Sequence, residues 1–189
     1  FDVYDYRGEK LEAKLEEYLA TGEVAAMIYS SPNNPAWFSF NEQELQIIAK
    51  VANKYDVTVL EDLAYFGMDF RKDYSKPGVA PYQPTVAKWA KKFVLMISGS
   101  KAFSYAGQRI AVMIISKDLF EMKTDYMKKY FTQDCFGRAI IFGSLYALTS
   151  GTAFSPQYAL TAIFKACNDG SYNFTEPLKE YGRKAEQMK

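Results

Sequence analysis

Four short apolar runs, at 25–30, 57–60, 93–97 and 110–115, set the strongest limit on what this chain can fold into. Each is too short for a core helix and is bounded by polar or turn-forming residues, so each predicts a strand. The intervening segments carry the other periodicity. Leu11, Leu15, Tyr18 and Leu19 share one helical face, and Gly22 supplies the stop before the first strand. Asn41 with Glu44 predicts a capping box for a helix that turns Leu45, Ile48, Ala49 and Ala52 inward. A helix over 85–90 leads into the third strand. Helices over 119–130, 138–149, 156–167 and 176–189 follow the fourth, with Ser155 as N-cap and Pro156 first in the third of these. Helices alternating with strands predict an α/β fold.

The strand ends carry the chemistry. Open α/β sheets bind ligands beyond the carboxyl ends of their strands, and three of these runs deliver reactive side chains there. The first is followed by Ser31-Pro-Asn-Asn-Pro35, a turn-rich loop that can present the Asn34 amide. The second ends in Glu61-Asp62, with Tyr65 three residues on, so an acid and a phenol leave the same strand end. The third ends in Ser98-Gly-Ser-Lys101, and Arg109 follows eight residues after the lysine. An amine at that position can form a Schiff base with an aldehyde. Ser98, Ser100 and Arg109 can grip a phosphate through short hydroxyl bonds and a bidentate fork. Taken singly, each residue also has a plain use: Asn34 as turn former, Asp62 as cap, Tyr65 as one of fifteen tyrosines, Lys101 as a solvated lysine, Arg109 as an ion-pair partner.

In this order the motifs resemble those of class I/II aminotransferases, the fold-type I pyridoxal-phosphate enzymes: Pro-Asn-Asn34-Pro, Asp62-x-x-Tyr65, and Ser98-x-Ser-Lys101 with Gly107-x-Arg109. The resemblance implies a three-layer αβα sandwich with a mostly parallel sheet, its last strand antiparallel, and pyridoxal 5'-phosphate as cofactor. It also implies roles. Lys101 would bond the cofactor aldehyde and later move the substrate proton, Asp62 would keep the pyridine nitrogen protonated, and Tyr65 and Asn34 would bond the phenolic oxygen. Ser98, Ser100 and Arg109 would hold the phosphate. The implied reaction moves an amino group from an amino acid to a 2-oxo acid, in a parent enzyme that is a homodimer. Residues 1–189 would then be the central part of its large domain, with the domain's N-terminal part and the C-terminal small domain outside the chain.

Two positions depart from the family pattern. Trp37 stands where these enzymes usually carry glycine, and Ala111 replaces the glycine two residues after the phosphate arginine. The same fold also carries carbon–sulfur β-lyases, which expel a thiol after the same proton abstraction, and regulator domains without turnover. A purely structural domain is a further alternative. Arg109 favours transamination, because related lyases often lack it.

Composition narrows the remaining classes. The chain has no histidine, which excludes Ser-His-Asp and Cys-His catalysis and the common His-based zinc sites. Neither a Walker loop nor a Gly-x-Gly-x-x-Gly motif is present. A net charge of +1 offers no basic field for nucleic acid, so no nucleic-acid partner is expected. No apolar run is long enough for a membrane span and no signal-peptide pattern opens the chain, so the expectation is a cytoplasmic protein without a membrane partner. Cys135 and Cys167 are expected to pack as small apolar residues, and Asn173-Phe-Thr175 to match a glycosylation acceptor by coincidence.

Overall fold

The computed structural model describes residues 2–74 and 76–188. The four expected strands form one sheet, ordered as in the chain: β1 (Ala26–Ser30), β2 (Thr58–Asp62), β3 (Phe93–Ser98) and β4 (Ala111–Ile115). The first three run parallel, with Asp62 opposite both Ser30 and Met96, so the residues following all three strands emerge at one sheet edge. β4 pairs antiparallel to β3, placing Ala111 opposite Ser98. Its start therefore lies beside the end of β3.

Two helices, α1 (Glu9–Leu19) and α2 (Glu42–Lys54), cover one face of the sheet. The expected capping box is present: Asn41 Oδ1 accepts the Glu44 N–H at 2.9 Å, and Glu44 Oε2 accepts the Asn41 N–H at 3.0 Å. Arg7 adds a bidentate pair to the same carboxylate, at 2.5 and 2.6 Å, which docks the entry to α1 onto α2. Leu11, Leu15 and Leu19 pack with Leu45, Ile48 and Val59 in the main core, each buried leucine contributing about 1.5–3 kcal/mol. Tyr18 is corrected: it lies at the edge of that stripe, 45% exposed, with the Lys14 ammonium 4.9 Å from its ring centre.

The strand period divides β2 cleanly. Val59 and Glu61 face the helices and are fully buried, whereas Thr58, Leu60 and Asp62 are half-buried on the opposite face. That second face is partly open, and on the edge strand Ile28 is 69% exposed.

Several expected helices have different bounds. Residues 85–90 form only a 3-10 turn, Val86–Lys88, after which Asn53 binds the Trp89 carbonyl (2.9 Å) and the Lys91 N–H (2.8 Å). The helix expected over 119–130 is two, α3 (Lys117–Phe120) and α4 (Asp125–Phe131), since Ser116 and Thr124 each cap a new start. The next run is continuous but irregular: α5 (Phe136–Arg138), a π-helical stretch Ala139–Tyr146, and α6 (Ala147–Thr149). Helix α7 (Phe154–Asn168) begins before Ser155, which therefore does not cap it; Pro156 sits in the first turn, where no N–H donor is required. Helix α8 (Lys179–Gln187) starts three residues late, after Thr175 has accepted the Leu178 and Lys179 N–H groups. Residue 189, expected in that helix, lies outside the described residues.

A smaller apolar cluster, Met68, Ala102, Cys167, Phe174 and Leu178, joins α7 to the loops after β2 and β3. Gly67 is required there: its φ is +76°, and an added Cβ would fall 2.6 Å from the Phe174 ring. Cys135 and Cys167 are free and buried. Thr175 donates its N–H and hydroxyl to Asn173 Oδ1 at 3.0 and 2.9 Å, so that pair builds a turn. Among the described residues, no helix is long and apolar enough to cross a membrane, and no group of three or more His, Cys, Asp or Glu side chains could hold a metal ion.

Candidate active site

The shared strand edge assembles the candidate residues in a defined order. Asp62 closes β2, and its Oδ1 accepts the Ala64 N–H at 2.9 Å, turning the chain so that Tyr65 follows in the loop. The Ser31 N–H donates to the Asp62 carbonyl at 3.1 Å, which ties the Asn34 loop to the same strand end. Ser98 closes β3, and its Oγ accepts the Ser100 N–H at 3.1 Å. Gly99 makes the closest approach: its N–H donates to the Ile110 carbonyl at 3.1 Å, and a Cβ there would sit 3.2 Å from the Ile110 side chain. That bond closes residues 99–110 into one compact loop.

Lys101 stands exposed in this loop with its Nζ 5.9 Å from the centre of the Tyr65 ring. The two share a cavity of about 520 Å³ that is also lined by Ser100, Ser104, Trp37, Met68, Phe70 and Tyr181. A larger cavity of about 820 Å³ adjoins it across Trp37, Met68 and Phe70. It contains none of the expected chemical residues, so the smaller cavity, which holds the amine, is the candidate site.

Tyr65, Ser100 and Lys101 are thus brought together, while Asp62 and Ser98 stand at neighbouring strand ends outside the cavity lining. Asn34 is exposed and, among the described residues, has no hydrogen-bond partner. Its neighbour Asn33 orders the loop instead, donating Nδ2–H to Ser30 Oγ at 2.9 Å and accepting the Ala36 N–H at 3.2 Å. Arg109 sits at the head of β4 with φ +52°, its guanidinium donating to the Ala106 carbonyl at 2.7 Å. No described hydrogen bond joins it to Ser98 or Ser100.

The donor set fits a phosphorylated aldehyde with a basic ring nitrogen. Among the described residues, Lys101, Asp62 and Arg109 enter no ion pair; Asp62 accepts only the Ala64 N–H and the Arg109 guanidinium donates to the Ala106 carbonyl, so neither charge is neutralised by a partner. Trp37 and Tyr181 were not legible as site residues. An aromatic in a turn-rich loop marks Trp37 only as unusual, and nothing local connects Tyr181 of α8 to a loop eighty residues earlier.

The aminotransferase class I and II family model matches residues 4–163, a span that includes every expected site residue. Among curated proteins, the chain is 34% identical over 128 residues to a probable aspartate/prephenate aminotransferase of Rickettsia conorii, covering 67% of this chain and 31% of that protein. It is 30% identical over 114 residues to a probable N-acetyl-LL-diaminopimelate aminotransferase of Bacillus subtilis, covering 59% and 26%. An aspartate aminotransferase structure from Rhodobacter sphaeroides aligns with a TM-score of 0.43 and 23% identity over 60% of this chain and 30% of that one. The chain spans under a third of the length of these curated relatives. With most of its residues matched by the family model, the chain belongs to the class I and II aminotransferases.

Proposed function

We propose that this chain is part of the large, cofactor-binding domain of a pyridoxal-phosphate-dependent aminotransferase that moves an amino group from an amino acid to a 2-oxo acid. The observation that carries the proposal is the uncommitted Lys101 amine, sharing a cavity with Tyr65 at the carboxyl edge of a parallel sheet. The share of each relative that the chain covers supports the reading of residues 1–189 as part of a larger enzyme.

When bound, pyridoxal phosphate supplies an aldehyde that captures amines and a ring that accepts electrons released from the substrate α-carbon. Lys101 Nζ would hold the cofactor through its aldehyde and would carry the proton taken from the substrate α-carbon. Asp62 would pair with the protonated ring nitrogen. Tyr65 and Asn34 donate to the phenolic oxygen. Ser98, Ser100 and Arg109 bind the phosphate with charge-assisted bonds. A homodimer of the whole enzyme belongs to the same proposal, supported by exposed apolar side chains on the run from Ala139 to Thr149, with Phe142 56% and Leu148 83% exposed.

Borohydride treatment of the cofactor-loaded, full-length protein, followed by peptide mapping, tests this directly. The pyridoxyl label is expected on Lys101, and Lys101→Ala is expected to abolish both label and turnover. A label on another lysine, or full activity in the variant, would overturn the assignment.

A further inference from the structure

Trp37 occupies a position its backbone does not favour. Its φ is +49°, in the left-handed region that is costly for bulky residues and free for glycine. The loop holds it there: the Trp37 N–H donates to the Asn33 carbonyl at 2.9 Å, and the Asn33 N–H donates to the Phe38 carbonyl at 2.8 Å. The constrained indole is nevertheless 45% exposed, so burial in the core does not compensate it.

What it faces is the Lys101 cavity. The indole meets Tyr65 edge-on at 5.7 Å and 80°, and lies near-parallel to Phe70 at 6.3 Å and 29°. Tyr65 is in turn the ring against which the Lys101 ammonium rests at 5.9 Å. The cavity is therefore amphipathic, lined by an amine and the hydroxyls of Ser100 and Ser104 and also by Trp37, Phe70 and Met68. With the proposed cofactor aldehyde bonded to Lys101, this cavity would receive an amine, and its aromatic lining suits a flat apolar group on that amine.

We infer that Trp37 is a specificity-determining residue whose indole receives the side chain of the amino-acid substrate and selects flat, apolar side chains. The inference rests on the proposed function, because Lys101 must be where the substrate amine arrives. Aromatic contacts of this type discriminate by about three- to tenfold.

The test uses cofactor-loaded, full-length protein and two amino donors, phenylalanine and alanine. Trp37→Gly should lower the phenylalanine-over-alanine ratio of kcat/KM by about three- to tenfold, and Trp37→Phe should restore most of it. Glycine suits the left-handed backbone, so Trp37→Gly should unfold at the same temperature as wild type or higher, which separates lost selectivity from misfolding. A second readout needs no turnover. 3-Phenylpropionate, which has no amine, should saturably change the emission difference between the full-length wild type and its Trp37→Phe variant, whereas propionate should not. An unchanged donor ratio in Trp37→Gly, with borohydride still labelling Lys101, would overturn this inference alone. Absence of the label would overturn it together with the function on which it rests.

Discussion

Glu61 offers a test of the fold that needs no ligand. It is 0% exposed on the helix-facing side of β2, and its described partner is the Val86 N–H, 2.9 Å from Oε2. Oε1 and the hydroxyl of its cross-strand neighbour Tyr29 are both buried without a hydrogen-bond partner. Burial pushes the Glu61 carboxyl from 4.5 up to about 7, against the smaller opposing effect of the Val86 N–H. The native state therefore holds this proton more tightly than the unfolded chain does. Its contribution to stability is fully present below about pH 4.5 and is lost as pH rises through about 7. At 1.36 kcal/mol per pH unit, the loss amounts to about 3 kcal/mol. Glu61→Gln is neutral at every pH and can still accept the Val86 N–H. Urea unfolding at pH 5, 6, 7 and 8 should show the variant gaining on wild type by about 2.5 kcal/mol across that range. Acids held low in the folded state, such as Glu44 beside Arg7, contribute the opposite slope below pH 4.5, and the comparison between the two proteins cancels them. Parallel pH profiles would refute the reasoning, as would a variant less stable than wild type at pH 8.

Three further outcomes are expected. Asp62→Ala in the full-length protein should retain cofactor but slow proton abstraction at least about a hundredfold, whereas Arg109→Ala should weaken cofactor binding by about 1.5–3 kcal/mol; cofactor titration and single-turnover kinetics distinguish them, and interchanged phenotypes would reverse the roles. Gly67→Ala should destabilise by about 1–3 kcal/mol, because its φ is +76° and its new Cβ would meet the Phe174 ring at 2.6 Å; an unchanged urea midpoint would contradict that geometry. Prepared alone, the 189-residue chain should associate through its open sheet edges, and Ile28→Lys on β1 should shift it toward monomer in sedimentation velocity; a monomeric wild-type chain would show that the edges are not adhesive.

The strands were legible because their signal is local. Apolar runs at 93–97 and 110–115 are too short for core helices, and the mostly parallel sheet with an antiparallel last strand was legible through the family resemblance. The Asn41–Glu44 capping box depends on four consecutive residues and forms as expected. Helix bounds beyond β4 were less legible, because Ser116, Thr124 and Pro156 can each begin a helix, cap one or interrupt one, and packing settles which. Residues 85–90 show the same limit: the groups that follow their single turn are bonded by the side chain of Asn53, more than thirty positions earlier.

For the site, the sequence by itself determined which chemical groups leave which strand end, since Asp62, Ser98 and Lys101 follow runs whose direction in a parallel sheet is forced. It also marked Trp37 as a bulky residue in a glycine-like position. Only the tertiary structure decided which of these groups share a cavity. Tyr65 and Lys101 meet because β2 and β3 are neighbours, Trp37 and Tyr181 join them from a loop and a helix far apart in the chain, and the Arg109 guanidinium turns back to the Ala106 carbonyl. The physical reason is range: secondary structure follows from contacts a few residues apart, whereas a cavity is defined by side chains that approach only after the sheet has fixed the order of its strands.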